Sequence, residues 1–241
     1  MKTNRTLLPR SSPDAERLTA ACALSVIGGF LDIYTYLCRG GVFANAVTGN
    51  MVLLGFNLAN RRWENCGKYL LAIFCYALGV FAAEFLRARL PRLRGTTWQQ
   101  SVVLIELICL SAVCFIPYGG WDDLVNALIA FVCALQVQTF RRVHGLPFAS
   151  TMCTGNLRSG TDALFRGLIH REPGAVVQAL HYYGVIICFI GGAAAGAALL
   201  SCFNRFVFLL APAGLAAVFL LITTKRELAA WTRSFRHRFR R

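Results

Sequence analysis

Phe43-Ala-Asn-Ala-Val-Thr-Gly-Asn50 recurs later in the chain as Phe148-Ala-Ser-Thr-Met-Cys-Thr-Gly-Asn156, one residue longer, at an offset of 105 residues at the Phe and 106 at the Asn. Apolar stretches around the two copies correspond in the same order: Leu18–Leu37 with Leu124–Phe140, Tyr69–Leu86 with Val176–Leu200, and Val102–Ile116 with Phe206–Thr223. Self-similarity over this distance marks a duplication. The chain therefore divides into an N-terminal segment (1–17), a first repeat (18–120), a second repeat (121–224) and a basic tail (225–241).

Composition says what solvent these repeats occupy. Of 241 residues 56% are hydrophobic and 15% are charged, and the mean hydropathy is +0.54. These values exclude a water-soluble globule, a disordered chain and a fibrous one, and leave an integral membrane protein surrounded by the lipid bilayer. The formal charge of +14, from 25 basic and 11 acidic residues, would suggest nucleic-acid binding in a soluble chain. Here the basic residues fall between or beyond the apolar runs, as cytoplasmic loops require, and no nucleic-acid partner is expected. The ten cysteines contain no C-x-x-C pair and mostly lie inside apolar stretches, where they read as small packing residues. The run from Leu18 is too long for a signal sequence and contains Asp32, so it reads as a retained first helix.

Loop charge sets the number of crossings. Besides the six stretches above, Val42–Leu58 is apolar, and Phe148–Ile169 is helix-like but carries Arg158, Asp162 and Arg166. If all eight crossed from a cytoplasmic N-terminus, the loop with Arg87, Arg89, Arg92 and Arg94 would lie outside and Asp122 and Asp123 inside, against the positive-inside rule. If Val42–Leu58 and Phe148–Ile169 enter without crossing, both conflicts disappear, and both termini are cytoplasmic. The expected fold is all-α and integral to the membrane, with six transmembrane helices plus two re-entrant or broken helices. Arg61, Arg62 and Lys68 are basic residues that this arrangement leaves outside.

Three crossings per repeat is an odd number, so the second copy must be inverted relative to the first, an architecture shared by many secondary transporters. In such folds the interrupted helices meet near the midplane, where irregular backbone is tolerated only against protein or a water-filled cavity. The two Thr-Gly-Asn segments hold that place. Thr48 and Thr154 are expected as N-caps, Gly49 and Gly155 as points of sharp backbone turning, and Asn50 and Asn156 as combined donors and acceptors, with Asn45 in the same turn as Asn50. Free N–H groups at a helix start favour an anion or a substrate carboxylate. The competing reading is a capped turn that packs one helix against its neighbour.

Gly29-Phe-Leu-Asp32, Tyr36-Leu37 and Gly40-Gly-Val-Phe-Ala-Asn-Ala-Val-Thr-Gly-Asn-Met-Val-Leu-Leu-Gly55, followed by Leu135-Gln136, Arg141-Arg142 and Thr154-Gly155-Asn156, resemble the YoaK family of multipass bacterial membrane proteins (domain-of-unknown-function family 1275) across essentially the whole chain. The chain departs from that pattern at Val137, where the family carries Asn. The resemblance implies a bacterial inner-membrane location and supplies no activity or substrate.

Asp32 lies in the second half of the first helix and must face protein or water, since a carboxylate facing lipid is costly. It would either couple a proton or cation, or bond helix one to the Thr-Gly-Asn turn. Gln136 and Gln138 occupy the matching part of the fifth stretch. Glu84 and Glu106 are expected to snorkel or to pair with nearby arginines, and Asp162, between Arg158 and Arg166, to form a helical ion-pair row. Gly192-x-x-x-Gly196 is a close-packing face, within the monomer or between subunits of a homo-oligomer. The scattered histidines and the lack of phosphate-loop motifs argue against an enzyme, and no cofactor or metal is expected. The functional expectation is a small-solute carrier or channel-like protein with a midplane site of Asp32, Asn45, Thr48, Gly49, Asn50, Gln136, Thr154, Gly155 and Asn156, taking a small polar solute or an anion. The alternative is a non-transporting scaffold or sensor whose basic tail binds lipid or a partner.

Overall fold

The computed structural model describes residues 18–89, 97–143, 146–147 and 151–223. The basic segments 1–17 and 225–241, the arginine-rich loop beyond Arg89 and the Phe148 that heads the second motif lie outside the described residues.

Local signals account for most helix ends. The first helix, α1 (Leu18–Cys38), stops at Gly40 and Gly41, both with positive φ. A short helix, α2 (Val47–Ala59), is joined to α3 (Trp63–Arg89) through Asn60, Arg61 and Arg62. Glu64 in the first turn of α3 and Arg87 and Arg89 in its last turn complement the helix dipole. A capping box starts α4 (Trp98–Val113): the Gln100 N–H donates to Thr97 Oγ1, and the Thr97 N–H donates to Gln100 Oε1 at 2.8 Å. Asp122 and Asp123 open α5 (Asp122–Thr139). A two-residue antiparallel pairing of Arg142–Val143 with Leu146–Pro147 precedes α6 (Cys153–Ile169). The described residues end with α7 (Ala175–Phe203), a 3₁₀ turn (Asn204–Leu209) and α8 (Leu210–Ile222).

By length and composition α1, α3 and α7 can each cross a membrane; α2, α4 and Phe206–Ile222 are apolar but shorter. The molecule is also apolar on its outside: Phe74, Phe81, Phe85, Ile187 and Ile190 are exposed on α3 and α7. A surface of that kind needs lipid around it.

The helices pair in a pattern that is preserved when the two halves are exchanged. α1 packs on α7 and α3 on α5; α2 lies along α3 and α6 along α7; α1 meets α8 as α4 meets α5; α4 and α8 pack on each other. The exchange reaches individual atoms. A Cβ on Gly192 of α7 would lie 2.1 Å from the Val26 carbonyl oxygen of α1, and a Cβ on Gly79 of α3 would lie 2.4 Å from the Phe131 carbonyl oxygen of α5. Val26 and Phe131 are separated by 105 residues, the offset of the two motifs. Gly192 and Gly196 thus pack α7 onto α1 within one chain, Gly196 meeting Phe30 and Ile33.

α1 and α5 carry most of the core, whereas α2 buries only Asn50 and Asn57, and α6 only Asn156, Gly160 and Ala163. One end of the core is fixed by Arg39, just past α1. Its guanidinium donates from Nε to Tyr34 Oη at 2.9 Å, from Nη1 to Asp122 Oδ1 at 2.8 Å and to the Pro117 carbonyl at 2.7 Å, and from Nη2 to the Ile116 carbonyl at 2.9 Å. Burial works to lower the Arg39 pKa; the bonds to Asp122 and Tyr34 outweigh it and raise the value, so the group stays charged. Nearby, Lys68 Nζ donates to the Gly40 carbonyl at 2.6 Å, a local use for one of the basic residues left outside by the expected topology.

Candidate functional site

After α1 the chain doubles back along it. Val42 to Ala46 are not helical, although the apolar run made them part of one stretch, because their backbone groups bond to side chains. Asp32 Oδ1 accepts the Asn45 N–H at 2.6 Å, with the N–H groups of Ala44 and Ala46 also in reach of the carboxylate. Asn45 Nδ2 donates to the Gly28 carbonyl at 3.1 Å. Gly28 is ten residues before the end of α1, about 15 Å back along its axis at about 1.5 Å per residue. Asn50 closes the loop from the other side: Oδ1 accepts the Phe43 N–H at 2.9 Å, and Nδ2 donates to the Phe43 carbonyl at 2.7 Å. Phe43 in turn stacks on Tyr36, ring centroids 4.7 Å apart.

Two expectations are corrected here. Thr48 and Thr154 are not N-caps: α2 begins at Val47 and α6 at Cys153, with Ala46 and Met152 in the cap positions and neither making a side-chain cap bond. The Asp32 carboxylate, from the preceding helix, takes the N–H groups just before α2 and not those of its first turn, and Thr48 and Thr154 are exposed. Nor does Gly49 make a sharp turn. It lies inside α2, where a Cβ would come within 3.0 Å of the Phe43 ring. Gly155 has open space around it.

The second motif reaches the same part of α1. A Cβ on Gly28 would fall 2.3 Å from Thr151 Cγ2, with Asn45 Nδ2 also within contact distance. Cys153, the first residue of α6, lies in electrostatic reach of Asp32. Gln136 of α5 is buried, and its Nε2 donates to the Leu24 carbonyl of α1 at 3.3 Å. Asp32, Asn45, Gln136 and Thr151 therefore gather around the middle of α1. Asn50 and Asn156 are buried in the first turns of α2 and α6. Thr151 was not singled out from the sequence, although its place inside the repeated motif was the available signal. Next to the second turn, Thr154, Leu157, Arg158, Thr161, Asp162 and Phe165 line a depression of about 600 Å³ on α6.

The two halves are not equivalent at the carboxylate. The residue 105 positions after Asp32 is Val137.

Among the other acids, Glu84 behaves as expected, pairing with Arg87 and Arg141 and accepting from Gln138. Asp162 pairs with Arg166 at 3.1 Å, and Arg166 also meets Glu172 at 2.8 Å. Glu106 does not behave as expected. It neither snorkels nor meets an arginine: it is fully buried, and neither oxygen has a hydrogen-bond partner among the described residues. The reason is its position on α4, on the face turned to the core with Val102, Val103 and Leu110.

The family described as "Protein of unknown function (DUF1275)" matches residues 20–222. The chain is similar to the UPF0700 transmembrane protein YoaK of Bacillus subtilis (strain 168), 26% identical over 155 residues, covering 60% of this chain and 66% of that relative. No solved structure matches.

Proposed function

The chain belongs to the DUF1275 family of proteins of unknown function, and from that premise we propose that it is a membrane carrier for a small polar solute, built as two inverted repeats with its site where the two motif turns approach α1. In this reading α1, α3, α4, α5, α7 and α8 cross the bacterial inner membrane, α2 and α6 are re-entrant, and both termini are cytoplasmic.

One observation carries the proposal: Asn45 from the first motif and Thr151 from the second both meet α1 at Gly28. Irregular backbone from two halves at one depth of a bundle is what an alternating-access site is made from. The exchange-preserving helix pairing supports the inverted repeat, because it leaves two similar packing modes between which the halves can rock. At the first turn the N–H groups already face the Asp32 carboxylate, so a cationic or neutral hydrogen-bonding end of the solute suits that side. At the second turn α5 provides Val137 in place of an acid, and Arg158 lies on α6, so a negatively charged end suits that side.

The test is uptake or counterflow into proteoliposomes across a panel of small polar solutes, with Asn45→Ala, Asp32→Asn and Asn156→Ala as variants. A solute carried by the parent chain and reduced at least tenfold by Asn45→Ala supports the assignment. A panel in which no solute moves faster than in protein-free liposomes removes it.

The alternative, a non-transporting scaffold or sensor, draws on the way Asp32 and Asn50 are already engaged by the chain's own backbone. Deleting Trp231–Arg241 separates the two, since a scaffold loses its lipid or partner binding and a carrier keeps its flux.

A further inference from the structure

Glu106 stands in α4 with no solvent exposure and both carboxylate oxygens unpartnered among the described residues. Val102, Val103 and Leu110 are buried on the same face of α4, and Tyr76 of α3 stands in electrostatic reach of Cys133 and Asp32. The thiols of Cys109 on its own helix and Cys133 on α5 are in electrostatic reach. α8, packed against α4, has no titratable or charged residue. On α3, Glu84 is engaged by Arg87, Arg141 and Gln138, and Arg87 lies over the Trp98 ring at the start of α4. Asp32 and the Asn45 side chain approach Cys133 from the α1 side.

A bare carboxylate in such a place is strongly unfavourable and needs either a cation or a proton. A metal cation needs several converging ligands, and no group of three or more His, Cys, Asp or Glu side chains that could hold one stands together among the described residues. A proton needs only the carboxylate oxygen it binds. We propose that Glu106 is a buried proton-binding site, a neutral acid when loaded, lying between the Asp32–Asn45–Cys133 group and a second set of buried polar groups at the start of α4. That second set includes Gln99, whose amide oxygen and nitrogen are both unpartnered among the described residues. Gln99 lies seven residues before Glu106, two helical turns away on the same face. On loading, one proton passes from water to a Glu106 oxygen and the site gains one positive charge; on release it returns to water.

The site deepens the carrier reading, because reversible neutralisation of an interior carboxylate is how a proton gradient would drive solute movement. Its test uses no solute. Infrared difference spectra between acidic and alkaline buffer are recorded on the purified full-length protein in detergent, in light and in heavy water. The expected result is a carbonyl band of a buried carboxylic acid that shifts in heavy water, is absent from Glu106→Gln and persists in Glu84→Gln. If Glu106→Gln does not elute as a folded species, Glu106→Asp serves instead and should move the band without removing it. A parent protein lacking the band, or a band unchanged in the Glu106 variants, overturns the proposal. Absence of flux in proteoliposomes would remove the carrier reading and leave this band in place, so the two failures are distinguishable.

Discussion

Arg39 and Asp122, 83 residues apart in the chain, form a 2.8 Å ion pair that joins the end of α1 to the first residue of α5. Because Arg39 also donates to the Pro117 and Ile116 carbonyls and to Tyr34, while Asn126 Nδ2 donates to the Arg39 carbonyl at 2.6 Å, the pair ties the two halves together at one end of the bundle. The guanidinium fork fits this set of acceptors, and an ammonium does not.

Replacing Arg39 removes the guanidinium from Asp122, two carbonyls and the Tyr34 hydroxyl, and leaves Asp122 Oδ1 with the Gly119 N–H at 3.1 Å. Arg39→Ala should destabilise the folded protein by about 3 kcal/mol, and Arg39→Lys should recover only part of the loss. Thermal unfolding in detergent, followed by retention of the monodisperse species, measures both. Equal stability of Arg39→Ala and the parent would mean that the pair contributes nothing.

Asp32 should be separable by chemistry. Asp32→Asn keeps an oxygen for the Asn45 N–H, whereas Asp32→Ala leaves the N–H groups of the first turn without an acceptor, a loss of about 1–3 kcal/mol. The same thermal assay should therefore rank the parent above Asp32→Asn and Asp32→Ala last.

The glycines at the exchanged interfaces should respond alike. A methyl on Gly192 or Gly79 meets a backbone carbonyl oxygen of the facing helix, so Gly192→Ala and Gly79→Ala should each cost about 1–3 kcal/mol through forced separation of the helices. Gly191→Ala, which meets nothing within 4 Å, is the control and should be neutral or slightly stabilising. Matching losses at Gly192 and Gly79 with none at Gly191 is the expected pattern in unfolding measurements.

Sidedness follows from the proposed topology. In a background without the native cysteines, Asn60→Cys and Asp123→Cys should react with a membrane-impermeant thiol reagent from outside, and Arg89→Cys only after the membrane is opened. All three residues are exposed. Labelling of Asn60→Cys from the cytoplasmic face would mean that α2 crosses.

The sequence by itself determined the membrane as solvent, most of the helices and the recurrence of the Thr-Gly-Asn motif. Hydropathy and helical period are local properties, so Leu18–Leu37, Tyr69–Leu86 and Val176–Leu200 were legible as helices, and α1, α3 and α7 extend them by a few residues. The repeated Thr-Gly-Asn motif located the irregular backbone. What only the tertiary structure decided is which atom satisfies which. The N–H groups leading into α2 are met by Asp32, a residue of the preceding helix, while Thr48 is exposed; Asn50 spends its amide on Phe43. Glu106 is buried without a hydrogen-bond partner among the described residues, while Glu84, of the same residue type, reaches two arginines. These differences depend on through-space distance between helices distant in sequence, and a carboxylate's surroundings are set by the helices packed around it, not by its neighbours in the chain.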